Sequence, residues 1–139
     1  MREILFRGKR TDCEAWVEGD LIQAFRGNQL SSCSIMPNAA TAYCWKVVPE
    51  TVGQYTGLTG KNGKRIFEGD ICKFKRFNDV HVGKVVFNVT TASFIMWYQP
   101  IVGAYGEKAT QKMLLSVCDD IEVIGNIHDN PKLLENSSL

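Results

Sequence analysis

Cysteine and histidine are the residues of this chain best suited to covalent chemistry, a thiol as nucleophile and an imidazole as its base. There are five cysteines, Cys13, Cys33, Cys44, Cys72 and Cys118, and two histidines, His81 and His128. Such a pair works only with a third group that orients the base and a site that holds the oxyanion. The spacing supplies neither. Cys72, two positions before Phe74 on a predicted strand, reads as a small buried residue, and His128-Asp129 reads as a turn held by local hydrogen bonds. Structural zinc sites want paired ligands such as C-x2-C, and here cysteines and histidines stand apart. No phosphate-binding G-x-x-x-x-G-K, dinucleotide-binding G-x-G-x-x-G, H-E-x-x-H or G-x-S-x-G occurs. The acids of Glu18-Gly19-Asp20 and Glu68-Gly69-Asp70 would need unequal environments to serve as general acid and base. The expectation is therefore a non-enzyme, with no catalytic residue, no cofactor and no metal.

An odd set of cysteines without close pairs argues against a disulfide framework and for a reducing compartment. The start of the chain, Met1-Arg2-Glu3-Ile4-Leu5-Phe6-Arg7, has no apolar signal region, and no stretch approaches the ~18 apolar residues of a membrane span. The cytoplasm is the expected location, with no membrane partner and no small-molecule substrate in evidence.

A net charge of +1 gives no long-range attraction to nucleic acid. Its distribution is less even. Residues 55–90 carry seven basic side chains against three acids, and residues 91–139 carry three against six. The plain reading is solvated faces of opposite sign. The other reading is a nucleic-acid surface. Gly69-Asp70-Ile71-Cys72-Lys73-Phe74 followed by Val82-Gly83-Lys84-Val85-Val86 resembles the KOW pattern of small SH3-like barrels in ribosomal and transcription proteins. On it Lys64, Lys73, Lys75, Arg76 and Lys84 would meet phosphates while Phe77 or Phe87 stacks a base. A third class is a module that associates with itself or with another protein through Trp16, Trp45, Trp97, Tyr98 and the loop around position 105. In a small β-domain, however, aromatics are more often core.

These side chains must be carried by strands. A chain of 139 residues can bury one core or two small ones, and at 45% apolar and 22% charged it is ordinary for a folded protein. Ile4-Leu5-Phe6 predicts a first strand and residues 8–12 a polar turn. Residues 14–17 and 21–25 predict two strands around Glu18-Gly19-Asp20. Residues 26–41 predict a loop with at most a short strand at 34–36, and 42–48 predict a strand closed by Pro49. Asn62-Gly63 supplies the positive φ angles of a tight hairpin turn. Residues 70–77 and 80–89 predict a second hairpin around Asn78-Asp79. Its apolar set changes parity across Gly83, as a bulge there would explain. Residues 94–98 predict a buried strand, 100–110 a loop, 113–117 a strand or helical turn, and 121–124 a last strand. Asn130-Pro131 predicts a capped closing helix.

The pattern apolar-apolar-Glu-Gly-Asp-apolar-apolar occurs twice, at Trp16-Val17-Glu18-Gly19-Asp20-Leu21-Ile22 and at Ile66-Phe67-Glu68-Gly69-Asp70-Ile71-Cys72. Both read as diverging turns, with Gly taking a conformation that other residues avoid and Asp bonding nearby backbone. Either turn chemistry has few solutions, or two β-lobes share one plan. Together with Ile4-Leu5-Phe6-Arg7-Gly8-Lys9-Arg10, Pro49-Glu50-Thr51-Val52-Gly53-Gln54-Tyr55-Thr56-Gly57-Leu58, Lys61-Asn62-Gly63-Lys64-Arg65 and Val123-Ile124-Gly125-Asn126-Ile127-His128-Asp129-Asn130-Pro131, these blocks resemble, in order from end to end, the YopX family of phage and prophage proteins. The match is loosest over 26–41 and 100–115. The resemblance implies an SH3-type barrel around the second Glu-Gly-Asp turn, a bacterial host cytoplasm and a capacity to self-assemble, and it carries over no catalytic or binding residue. The expected architecture is mainly β: a β-rich lobe over 1–52, then an SH3-like barrel with a short C-terminal helix over 53–139.

Overall fold

A computed structural model of the chain describes residues 1–37, 43–102 and 106–135. They form a mainly β protein of antiparallel sheets with one short C-terminal helix. Two units are distinguished, Met1–Gly57 and Leu58–Leu139. No helix is long and apolar enough to cross a membrane.

The first unit holds β1 (Phe6–Lys9), β2 (Trp16–Arg26), β3 (Gln29–Met36), β4 (Trp45–Lys46), a 3-10 turn (Pro49–Thr51) and the start of β5 (Gly53–Thr59). Their order in the sheet is β4-β3-β2-β1-β5. Cys33, Ile35 and Val47 are its buried core, with Phe6, Val17, Leu21 and Val52 packed around them. Thr51 pins the 3-10 turn: its hydroxyl accepts the Lys9 N–H at 2.9 Å and donates to the Val48 carbonyl at 2.6 Å.

Two expectations fail here. Residues 26–41 were to be mostly loop, yet β3 is an eight-residue strand paired with β2 along its length. Its Ser-rich alternation hides because only Cys33 and Ile35 point to the core. Residues 38–41 lie outside the described set, as does position 42 of the predicted 42–48 strand. Second, Glu18-Gly19-Asp20 is no turn. It runs inside the continuous β2, with Gly19 opposite Phe6. Glycine is needed there for space: a Cβ would run into the Met36 carbonyl and Pro37.

The second unit holds the end of β5, β6 (Arg65–Phe67), β7 (Asp70–Arg76), β8 (Asp79–Asn88), β9 (Ser93–Tyr98), β10 (Ile101–Val102), β11 (Glu107–Lys108), β12 (Gln111–Leu114), a 3-10 turn (Leu115–Val117), β13 (Asp119–Asn126) and α1 (Lys132–Glu135). A five-stranded sheet runs β12-β9-β8-β7-β13. Its inner face is the larger core, with Cys72, Phe74, Val85, Met96, Tyr98, Ile121 and Val123 packed on Ile66, Leu115 and Cys118. Among the described residues the sheet ends at β12 and β13, and no closed barrel is found where an SH3-like barrel is expected. The predicted 100–110 loop contains the short β10–β11 pair, with 103–105 outside the described residues.

Glu68-Gly69-Asp70 is a true turn. Gly69 has φ +92°, its N–H donates to the Val85 carbonyl at 2.8 Å and its carbonyl accepts from the Ile127 N–H at 2.9 Å. The Asp70 carboxylate, 1% exposed, accepts the Phe67 N–H at 2.7 Å. The bulge expected at Gly83 is absent, for β7, β8 and β9 pair through it without a shift. The apolar parity changes because His81 occupies the inner face, its ring 4.9 Å from that of Tyr98 and 5.7 Å from that of Phe74, while Val80 and Val82 lie on the outer face. The irregularities fall in β13, near Asp120 with φ +48° and between Val123 and Gly125. The hairpin turn is at Phe77-Asn78, both with positive φ. Asn130 does not cap α1 as predicted; its side chain accepts the Asn126 N–H at 3.3 Å.

Gly69→Ala destabilises by more than about 1 kcal/mol because its φ is closed to a Cβ. Asp70→Ala costs about 2 kcal/mol by stripping a buried N–H of its acceptor, whereas Gly57→Ala, at a similar positive φ but exposed where Gly69 is buried, costs less than Gly69→Ala. Urea unfolding of the three variants checks the order; a Gly69→Ala protein as stable as the parent refutes it.

Candidate functional site

Strand alternation decides which side chains share a face. On β7, Cys72 and Phe74 point to the core, so Lys73 and Lys75 point out. Across the sheet Lys73 stands beside Val82 of β8 and Glu122 of β13, and Lys75 beside Val80 and Asp119. Lys84 of β8 lies on the same outer face, opposite Ile71 and Trp97. Its ammonium is 4.5 Å from the centre of the Trp97 ring, a cation–π contact.

Three of the five predicted cations are thus brought together and two are not. Arg76 belongs to the inner-face register of Phe74. Its guanidinium lies 4.0 Å from the Phe77 ring centre and donates to the Val117 carbonyl at 3.4 Å. Lys64 sits at the Asn62-Gly63 turn, where its N–H reaches the Asn62 side chain at 3.4 Å. The predicted stacking residues are also misplaced. Phe77 is at the hairpin tip under Arg76, and Phe87 shares the inner-face register, edge-on to Phe94 with ring centres 5.2 Å apart. The aromatic that faces Lys84 is Trp97, and beyond it in the same cross-strand row is Lys112 of β12. In the sequence Trp97 suggests a protein interface, and nothing there marks Lys112. Residues 94–98 are apolar throughout, so no polar alternation in the sequence marks Trp97 as outward.

Acids line one edge of this face. Lys75 pairs with Asp120 at 3.5 Å and Lys61 with Glu122 at 3.4 Å; both pairs are about half exposed and contribute little to stability. At the edge of the face, Ile71 is fully buried although it shares the register of Lys73. The chain leading into α1 crosses this edge, since a Cβ on Gly125, the partner of Ile71, would strike the side chains of Asn130 and Leu133. His128-Asp129 makes the expected local bonds, both N–H groups donating to the Asn126 side-chain oxygen at 3.0 and 2.9 Å.

The other aromatics are largely occupied by their own chain. Arg7 and Lys9 lie over the Trp16 ring at 5.0 and 5.7 Å, and Arg10 over Trp45 at 3.7 Å while also bonding Asp12. Arg10 thereby holds the Asp12 carboxyl below the ordinary carboxylate range. Tyr98 is core, and position 105 lies outside the described residues. Cys33, Cys72 and Cys118 are buried and Cys13 and Cys44 exposed; desolvation pushes the Cys118 thiol up to about 11.

The family model for YopX protein matches residues 5–135. The chain belongs to the YopX family. The resemblance read from the ordered sequence blocks therefore holds over nearly the whole length. The crystal structure of protein EF1440 from Enterococcus faecalis is similar, with a TM-score of 0.51 and 22% identity over 96% of this chain and 99% of that one. At that identity the likeness concerns the fold alone. No curated protein matches the chain.

At pH 8 the native protein takes up iodoacetamide at Cys13 and Cys44, and at Cys33, Cys72 and Cys118 only after denaturation. Because the Cys118 thiol ionises near 11 when folded, against an ordinary value of 9, its neutral form favours the native state. That contribution is intact below pH 9 and is lost as pH rises toward 11. Mass mapping of the alkylated sites, with melting measured from pH 7 to the alkaline limit, checks both; rapid native labelling of Cys118 contradicts the first.

Proposed function

We propose that the chain is a non-enzymatic, self-assembling module, a phage or prophage product of the bacterial host cytoplasm, which docks through the arm formed by β2 and β3 onto a second copy of itself. Its second unit is read as an SH3-like barrel left open. The observation that carries the assembly reading is the run of residues 22–31, ten in succession, all exposed.

The arm extends the first unit's core row outward. Leu21 packs on the core beside its partner Ile35. Two and four residues on, the same face of β2 presents Gln23 and then Phe25, which is paired with Leu30 across a bulge. Phe25 is 57% and Leu30 40% exposed, and Ile22 is 42% exposed on the other face. A two-stranded ribbon wet on both sides is marginal alone, and grouped exposed apolar side chains mark contact sites. Beyond Gly19 the edge of β2 toward β1 has no strand partner among the described residues.

Charge favours a second copy as the occupant. An isologous contact sets each charge near its own kind, and like charges opposed on strands destabilise. Residues 22–31 contain one charged side chain, Arg26. A self-contact therefore meets little repulsion.

Light scattering of the full chain over a concentration series is expected to show a mass above the monomer, and Phe25→Asp with Leu30→Asp to return it to the monomer. Since both residues are exposed in the single chain, the melting of a monomeric sample changes little. A parent protein that is monomeric at its highest soluble concentration, or a double variant with unchanged mass, overturns the proposal.

A further inference from the structure

The outer face of the five-stranded sheet carries a second, independent surface. We infer that it binds single-stranded nucleic acid, with Trp97 as the platform for one base and Lys84, Lys108, Lys112 and Lys73 as the phosphate-facing cations.

The register builds the arrangement. Lys84, Trp97 and Lys112 are direct neighbours on β8, β9 and β12, and adjacent strands are about 4.8 Å apart. Trp97 thus stands between two lysines in one row, with the Lys84 ammonium resting on its ring. Lys73 occupies the next row, beside Val82. A groove of about 410 Å³ opens along Val82, Lys84, Trp97 and Lys108, with Leu134 and Glu135 of α1 among its lining. It is roomy enough for a base to lie against the indole.

The chemistry selects the ligand. Lys75 is drawn to Asp120, but no carboxylate among the described residues bonds Lys73, Lys84, Lys108 or Lys112, so those four can neutralise phosphates. Glu135 keeps phosphates off the α1 wall, which leaves the backbone path over β8, β9 and β12. Lys84 covers the half-buried indole in the free protein; when its ammonium turns to a phosphate, the uncovered π-face takes an unpaired base, whereas a duplex presents its bases edge-on. An acidic peptide would satisfy the lysines but leave the indole without a planar partner.

The test is fluorescence anisotropy of a dye-labelled oligothymidylate with the full chain at ~50 mM salt, where phosphate contacts are strongest. Binding is expected, with a logarithmic salt slope of about −0.7 for each phosphate contacted. Lys84→Glu with Lys112→Glu weakens it at least tenfold and flattens the slope; Lys64→Glu, off the face, leaves it near the parent value. Trp97→Leu weakens it about tenfold while Trp97→Phe largely retains it, and circular dichroism verifies that each variant is folded. Absence of binding overturns the inference. So does an equal loss from Lys64→Glu, which would mean diffuse charge. Equal affinity for a duplex of the same length, or competition by polyglutamate as effective as by the unlabelled oligonucleotide, overturns it as well.

Discussion

The second unit depends on the bond between the buried Asp70 carboxylate and the Phe67 N–H. It spans a turn whose glycine backbone is already tied to Val85 of β8 and to Ile127 beyond β13. A carboxylate that is 1% exposed is costly to desolvate, and hydrogen bonds are what make it tolerable. Once it is satisfied, β6 and β7 diverge at a fixed angle, which sends Ile66 and Cys72 into the same core. The alternation that follows along β7 buries Cys72 and Phe74 and leaves Lys73 and Lys75 in water. The charged face is thus a downstream consequence of one turn.

The two Glu-Gly-Asp segments show how far sequence could be read. Each offers the same residues in the same order, and only the second is a turn. At Gly69 glycine supplies a left-handed φ; at Gly19 it gives room for Met36 and Pro37 to approach an extended strand. Both needs are met by glycine, and local pattern cannot separate them because the deciding atoms of the first lie on another strand. The same limit hid β3. Its serines and glutamine suggest loop, but pairing with β2 satisfies its backbone and only two of its side chains need to be apolar enough for the core.

The mainly β class, the closing helix and the family were legible, because they rest on turn chemistry and on ordered blocks that survive errors in any single strand. The candidate surface was half legible. Its lysines could be named from charge density, but grouping them required knowing which face each strand turns outward, and a missing bulge at Gly83 was enough to blur that. Arg76 differs from Lys75 by one position and so lies on the other face. Trp97 was read as an interface anchor because aromatics in a small domain carry no label for core or surface until their neighbours are known.

The two surfaces differ in what they require of the fold. The β2–β3 arm spends ten exposed residues on neither core, so its stability as a monomer is borrowed from the residues of β2 and β3 that pack at its base. The lysine row is instead mounted on the central strands of the larger core, where Cys72, Gly83, Val85 and Met96 fix the backbone beneath it. Gly83 is telling: a side chain there would meet the Trp97 carbonyl and Tyr98, so the close approach of β8 to β9 that sets Lys84 on Trp97 is built into the strand. Among the described residues the arm pairs only with itself beyond its base, so its order there rests on the β2–β3 backbone bonds.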